Sequence, residues 1–249
     1  VTYDVFGRED KKYLPYKGSN TSGAYVTDPL SGQSSYYTNI YGSTDGSKAY
    51  SKTIFELSPL NRVLQQGAPG AMWQPSSTAS TDHSVKFEYG FNGSSDVKLW
   101  RVLNNTLSDG GYYDAKTLFK TTTWDENKEA RSDTSRTEEF KDKHGKVVLK
   151  RVYNGSTTHS TYYVYDEFDQ LRYVFPPKAT TDGSVTSTEL SELCYQYRYD
   201  GLKRMILKKL PGADSISMVY DRRDRLVATR DGVQAAANKW LVTKYDTLN

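Results

Sequence analysis

A single cysteine, Cys194, stands among the 249 residues. No disulfide can therefore form within the chain, and cysteine usage says nothing about the redox compartment. Histidine is almost as scarce. His83, His144 and His159 are isolated, and none lies at metal-ligand spacing from another or from Cys194, so no metal site is expected. Long apolar runs are missing: nothing approaches the roughly 18 residues of a membrane helix, and no leader segment is recognisable. Charge of one sign is missing as well. The 33 basic and 30 acidic residues are intermixed, with a net charge of +3. No block marks a nucleic-acid or membrane-surface footprint, and neither partner is expected. Aliphatic residues are few, with 36% hydrophobic residues and a mean hydropathy of −0.74. Tyrosine is abundant instead, with 21 copies beside 8 Phe and 4 Trp. Tyr suits a pleated, half-buried surface, because its ring packs while its hydroxyl reaches water or a partner. The composition thus points to extended sheet rather than to helices around an aliphatic core.

A repeat is present. Tyr-Asp recurs at Tyr3-Asp4, Tyr165-Asp166, Tyr199-Asp200, Tyr220-Asp221 and Tyr245-Asp246. Three residues after the Asp of the first four stand Gly7, Asp169, Lys203 and Asp224, and the next positions carry Arg8, Gln170, Arg204 and Arg225. Two degenerate copies fit the frame: Ser58 with Asn61 and Arg62, and Asp142 with Gly145 and Lys146. The mechanical reading is a hairpin. Asp or Ser accepts an amide two residues on and opens a type I turn. Gly, Asn or Asp takes the left-handed position that closes it, with Lys203 the poor fit. The basic residue begins the return strand. Pro15, Pro69, Pro177 and Pro211 each follow an opener by eleven residues and end that strand, since proline cannot donate to a ladder.

The rest of the chain reads as more strands. Segments 49–57, 118–124, 147–153, 161–165, 195–199, 205–210, 217–220 and 226–229 fit the pattern, and 85–91 with 97–103 reads as a hairpin across Asn92-Gly93. Residues 18–23 and 75–82 read as loops. Only 187–193, with Ser187 as cap, and 233–239 read as short helical turns. The expected fold is all-β: consecutive antiparallel hairpins in a curved or spiralling sheet. Residues 1–135 are expected to form an N-terminal region with loop insertions, and 136–249 a compact run of repeats, the two making one continuous sheet.

The turn segments 3–8, 199–204 and 220–226 resemble the YD repeats of the Rhs family. Segments 56–70, 138–151, 162–177 and 192–226 look like the repeat region of large Rhs-type proteins of Bacteroides and its relatives. The resemblance implies a strip of β-hairpins forming part of a hollow shell, which in toxin relatives encloses a C-terminal effector. It also implies a secreted or cell-surface location and, as partners, the remainder of a longer parent polypeptide and any enclosed C-terminal domain. The self-cleaving aspartate motif of such shells has no match here, so that activity is not carried over.

Candidates for chemistry are few. The repeat acids could pair as in glycoside hydrolysis, but their place before a left-handed closer assigns each to its own turn. No catalytic, metal or cofactor residue is expected, and the chain is read as no enzyme. The structural set is Asp4, Gly7, Ser58, Asn61, Asp142, Gly145, Asp166, Asp169, Asp200, Asp221 and Asp224. The shared basic position (Arg8, Arg62, Lys146, Arg204, Arg225) predicts a ladder of salt bridges and cation–π contacts between neighbouring repeats. Cys194 reads as a small buried thiol. Trp73 is the most loop-like tryptophan and a candidate glycan contact, which leaves an extracellular glycan- or protein-binding module as the alternative function. Asp214-Ser215-Ile216 and Asp246-Thr247-Leu248 resemble short O-glycosylation patterns.

Overall fold

In a computed structural model, residues 2–18, 23, 25–76, 82–127, 135–180 and 183–246 are described. The strands are β1 (Thr2–Tyr3), β2 (Glu9–Tyr13), β3 (Tyr50–Phe55), β4 (Val63–Gly67), β5 (Val85–Phe91), β6 (Lys98–Leu103), β7 (Thr106–Tyr112), β8 (Phe119–Trp124) and β9 (Thr137–Lys141). They continue as β10 (Val147–Asn154), β11 (Thr157–Tyr165), β12 (Leu171–Phe175), β13 (Tyr195–Tyr199), β14 (Met205–Lys209), β15 (Ser215–Tyr220), β16 (Leu226–Arg230) and β17 (Leu241–Val242). Among the described residues, three α-helices interrupt them: α1 (Pro29–Gly46), α2 (Ser187–Glu192) and α3 (Gly232–Ala236). The chain is all-β in class. Fifteen strands follow one another in an open sheet in chain order, with β6 and β7 set apart as a two-stranded sheet between β5 and β8. The pairs from β1 to β5 and from β11 to β17 run antiparallel. Pro15, Pro69, Pro177 and Pro211 each lie two residues beyond the end of a return strand, after Tyr13, Gly67, Phe175 and Lys209.

Two compact units can be separated. The first comprises residues 1–89, 121–138 and 153–157, the second 90–120, 139–152 and 158–249. The second holds two apolar cores. One packs Val97, Leu118, Phe140, Val148 and Leu149. The other packs Val102 of β6 against Val164, Tyr173, Phe175, Ala179 and Cys194. The β6–β7 hairpin reaches this core because Asn104-Asn105 turns the chain in two residues, both at positive φ (48° and 63°), the conformation that a tight hairpin with the native twist requires.

Three departures from the sequence reading have physical causes. Strand β5 does not pair with β6, and Asn92-Gly93 is not a hairpin turn. Neither residue has positive φ, and the buried Asn92 is a clamp. Its Oδ1 accepts the Thr117 and Leu118 amides at 3.0 and 2.8 Å, and its Nδ2 donates to the Asp114 carbonyl at 2.8 Å. The excursion from 93 to 117 is thus tied at its base. Second, α1 falls where no helix is read. Asp28 caps it through the Ser31 amide and Pro29 opens it, but tertiary bonds hold it: buried Gln33 donates to the Ala49 carbonyl at 2.6 Å and Tyr37 to that of Pro15 at 2.6 Å. Third, the cap of α2 is Thr186, not Ser187, in a reciprocal box with Glu189.

Candidate functional site: the ladder of hairpin turns

Each opener is used by its own backbone. Asp4 Oδ1 accepts the amides of Phe6 and Arg8, both at 2.9 Å. Asp142 does the same for His144 and Lys146, Asp166 for Phe168 and Gln170, Asp200 for Leu202 and Arg204, and Asp221 for Arg223 and Arg225, all at 2.8–3.0 Å. The closers Gly7, Asn61, Gly145, Asp169, Lys203 and Asp224 all have φ between 55° and 82°. In each turn the closer's amide donates to the opener's carbonyl at 3.0–3.3 Å. Just after each turn in the β1–β2, β11–β12, β13–β14 and β15–β16 hairpins the register shifts by one residue, the bulge that a left-handed closer produces.

The Ser58 copy divides the work. Ser58 Oγ accepts the Leu60 amide at 3.2 Å. Glu56, two residues earlier, supplies the missing carboxylate: its Oε1 accepts from Ser58 Oγ at 2.7 Å and its Oε2 takes Arg62 Nε and Nη2 at 2.9 and 2.6 Å. The Arg62 guanidinium, helped by the Ser58 hydroxyl, holds Glu56 down at about 2. Glu56 was not singled out in the sequence; a Glu two residues before the one opener lacking a carboxylate was the available signal.

The second carboxylate oxygen faces the basic residue. Arg8, Arg204 and Arg225 donate from Nε to Asp4, Asp200 and Asp221 at 2.7, 2.8 and 2.8 Å. The Arg204 guanidinium holds Asp200 below the usual carboxylate range, and Asp221 is lowered by the Arg225 amide first and its guanidinium after. Arg8, Arg204 and Lys146 also reach the next turn. Arg204 Nη1 donates to the Asp221 carbonyl at 3.1 Å and to closer Asp224 at 2.6 Å. Arg8 Nη1 donates to the Glu56 carbonyl at 3.0 Å and to closer Asn61 at 3.1 Å. Lys146 pairs with closer Asp169.

An aromatic further along the chain completes the step: Phe55, Tyr165 and Tyr220 end their strands, Tyr89 lies within β5 and Tyr245 follows β17. Arg8 lies over Phe55, Arg62 over Tyr89, Lys146 over Tyr165, Arg204 over Tyr220 and Arg225 over Tyr245, at 4.6–5.3 Å from the ring centroids. Where that aromatic is Tyr, its hydroxyl donates to the carbonyl just after the cation: Tyr89 to Val63, Tyr165 to Val147, Tyr220 to Met205 and Tyr245 to Leu226, at 2.9–3.1 Å. The tyrosine of one repeat is therefore a clamp on the previous one. Tyr89, followed by Gly90 rather than Asp, plays this part without the Tyr-Asp signature.

The remaining candidates are placed as follows. A cleft of about 280 Å³ in the second unit is lined in part by Asp142, Asp166, Lys146 and Trp100. Asp142 and Asp166 are occupied by their own turn amides, and Asp166 also by buried Arg172 at 3.2 Å; the third acid of the lining, Glu167, is exposed at its edge. No group of three or more His, Cys, Asp or Glu side chains among the described residues could hold a metal. His83 Nδ1 lies 3.0 Å from the Glu126 carbonyl, and His144 sits in its turn. Cys194 is fully buried, and burial pushes its thiol up to about 12. Trp73 is 40% exposed, in a short 3-10 turn over Ala71–Trp73. Ser215 begins β15, whereas Thr247 and Leu248 lie outside the described residues.

Residues 1–87 match a family described as a domain of unknown function, DUF6443. No curated protein matches the chain. Among solved structures, the chain is similar to the crystal structure of TcdB2-TccC3-TEV, with a TM-score of 0.53 at 15% identity. It is also similar to TcdB2-TccC3 without its hypervariable C-terminal region, with a TM-score of 0.54 at 14% identity. In both, the match covers 92% of this chain and 9% of the other, so the sequence spans under a tenth of those proteins while sharing their fold over nearly its whole length.

Proposed function

We propose that the chain is a non-catalytic wall segment of an Rhs/YD-repeat β shell. Its role is to enclose or display another domain of the same parent polypeptide, in a secreted or cell-surface protein. One observation carries this reading: repeat after repeat, the acid serves its own turn and the cation and tyrosine serve the neighbouring repeat. Carboxylates spent on turn amides and guanidinium groups do not act as proton shuttles, since they are hydrogen-bonded in the charged form. A ladder in which each hairpin holds the next suits a wall made by adding hairpins. The fold shared with the TcdB2-TccC3 structures supports the same reading, as does the set of turn motifs that resemble Rhs repeats of Bacteroides-type bacteria. Within that wall, 136–249 is the compact run and 1–135 the part that accommodates insertions.

Cryo-electron microscopy of the intact parent polypeptide tests the proposal. The expected result is a continuous β wall that includes these hairpins, with a separate domain inside it or mounted on it. Finding these residues as a free-standing domain, with both edge strands exposed to solvent, overturns it.

A further inference from the structure

We propose that a groove in the first unit, between α1 and the Gly70–Trp73 turn, is a carbohydrate site that seats one pyranose ring of a glycan. The groove encloses about 470 Å³, inside the range of roughly 300–1,000 Å³ found for small-ligand sites. Its walls include Tyr37, Tyr41, Trp73, Pro69 and Asp45.

The chain builds this groove with two breaks. Helix α1 is interrupted at Gly42, which has φ 78° and ψ 171°. The short second limb then folds back so closely that a Cβ on Gly46 would lie 2.4 Å from Thr38 Cα. That fold-back delivers Asp45 to the Gly70 turn, where its Oδ1 accepts the Ala71 amide at 2.9 Å. No described residue donates to its Oδ2, and the side chain is exposed. Gly70 completes the opening. A Cβ there would stand 3.3 Å from Trp73 Cδ1 and 3.8 Å from Asp45 Oδ1, so a side chain at 70 would fill the gap between ring and carboxylate.

The chemistry of these walls selects a sugar. The Tyr37 and Tyr41 rings stack, with centroids 6.2 Å apart and planes within 13° of parallel, which backs the exposed Tyr41 ring and leaves it as a flat surface. Trp73 and Tyr41 are 40% and 64% exposed, a large apolar area left in water. Both platforms are held from behind: Tyr37 by its bond to the Pro15 carbonyl, and Trp73 by the His83 ring at 5.3 Å. Rigid platforms lower the cost of ordering on binding. The C–H face of a pyranose meets the negative face of such rings, and a sugar hydroxyl at the rim donates a charge-assisted hydrogen bond to Asp45 Oδ2. A cation cage needs several ring faces turned toward one ion, whereas Tyr37 and Tyr41 stack on each other. A wholly apolar ligand would desolvate Asp45 without offering it a donor.

The test uses the full chain, labelled with ¹⁵N, and the methyl glycosides of glucose, galactose, mannose and N-acetylglucosamine, with tetramethylammonium chloride as the competing cation probe. Trp73→Phe assigns the Trp73 indole signal among the four tryptophans. We expect a saturable shift of that signal with at least one glycoside and none with tetramethylammonium. Tyr41→Ala and Asp45→Asn should each weaken binding by about tenfold or more, the effect of losing one ring contact or one charge-assisted bond, while leaving the melting curve of the chain in place. The proposal is overturned if no glycoside shifts the signal, if only tetramethylammonium does, or if both variants bind as tightly as the parent. This outcome is independent of the wall reading, which is judged on the intact polypeptide.

Discussion

Lys203 is the residue that the turn geometry tolerates least. It holds φ 64° at a closing position where the equivalent residues are Gly, Asn or Asp. A left-handed conformation costs an ordinary L-residue about 1–2 kcal/mol, because its Cβ crowds the following carbonyl. Replacing Lys203 with Gly removes that cost. The added freedom of Gly in the unfolded chain returns roughly 0.5–1 kcal/mol of it. The net expectation for Lys203→Gly is a stabilisation of about 0.5–1 kcal/mol. The Lys203 charge also attracts Asp169, and its loss works weakly the other way across solvent. Gly145→Ala is the mirror experiment. Gly145 has φ 82°, and a Cβ there would meet nothing within 4 Å, so conformation alone sets the cost. The same figures give a loss of about 0.5–1 kcal/mol. At roughly 2–4 °C per kcal/mol for a chain of this size, calorimetry should move the two midpoints apart in opposite directions. Urea titration should show unchanged m-values, because no surface is exposed differently. If Lys203→Gly lowers the midpoint, or both variants shift the same way, the left-handed closer is not what limits these turns.

Three other expectations follow from the geometry. Phe140 is fully buried beside Leu118 and Leu149, so Phe140→Ala should cost about 3–5 kcal/mol, read as a large fall in the calorimetric midpoint and a loss of near-ultraviolet dichroism. Asp200, Asp221 and Glu56 all have lowered values in the folded chain. A depressed folded value stabilises fully above the unfolded value and is lost as pH falls through the folded one. Stability should thus hold near neutrality, begin to fall near the ordinary Glu value of 4.5 and continue to fall towards about 2 for Glu56; melting curves at pH 7, 4 and 2.5 check this, and Glu56→Gln should flatten part of the drop. Cys194, fully buried with its thiol pushed up to about 12, should resist iodoacetamide at pH 8 in the native chain and react only after denaturation; labelling at the native rate of a free thiol would contradict its placement.

The fold class was legible because turn chemistry is local. An Asp that bonds amides two and four residues ahead, and a residue at positive φ three ahead, leave a fixed spacing in the sequence, and the strand read at 195–199 coincides with β13. What was not legible depends on contacts far along the chain. Helix α1 carries Gly32, Ser34, Ser35, Thr38 and Asn39, residues of modest helix propensity, and it is held by Gln33 and Tyr37 bonding to distant carbonyls. Asn92-Gly93 looked like a tight turn because that dipeptide favours one. The Asn amide is instead spent on Asp114, Thr117 and Leu118, a use that no short-range pattern reveals. The abundant tyrosines point by themselves only to a pleated, half-buried surface. That their hydroxyls bond the carbonyl after the preceding cation becomes visible only when neighbouring repeats are side by side.

The copy that departs from the rule shows what the rule is for. Gln170 occupies the position held elsewhere by a cation, so the Asp166 carboxylate accepts the Gln170 amide but meets no cationic side chain four residues on. Arg172, two residues further along β12, takes that place from the sheet interior. Its Nη1 meets Asp166 Oδ2 at 3.2 Å with both side chains buried, its Nε donates to the Tyr197 carbonyl at 2.9 Å, and its Nη2 donates to Asn105 Oδ1 at 2.7 Å. Asn105 is the tip of the β6–β7 hairpin, whose Val102 bridges to Asp166 itself. The cation that in other repeats links one turn to the next here links a turn to the hairpin covering its core. A buried guanidinium bears a desolvation cost that only a full set of acceptors offsets, and this one has a carboxylate, a carbonyl and an amide oxygen. The repeat thus tolerates losing its cation at one position because a carboxylate at the turn needs a cation near it, and the chain supplies one from wherever the packing brings it.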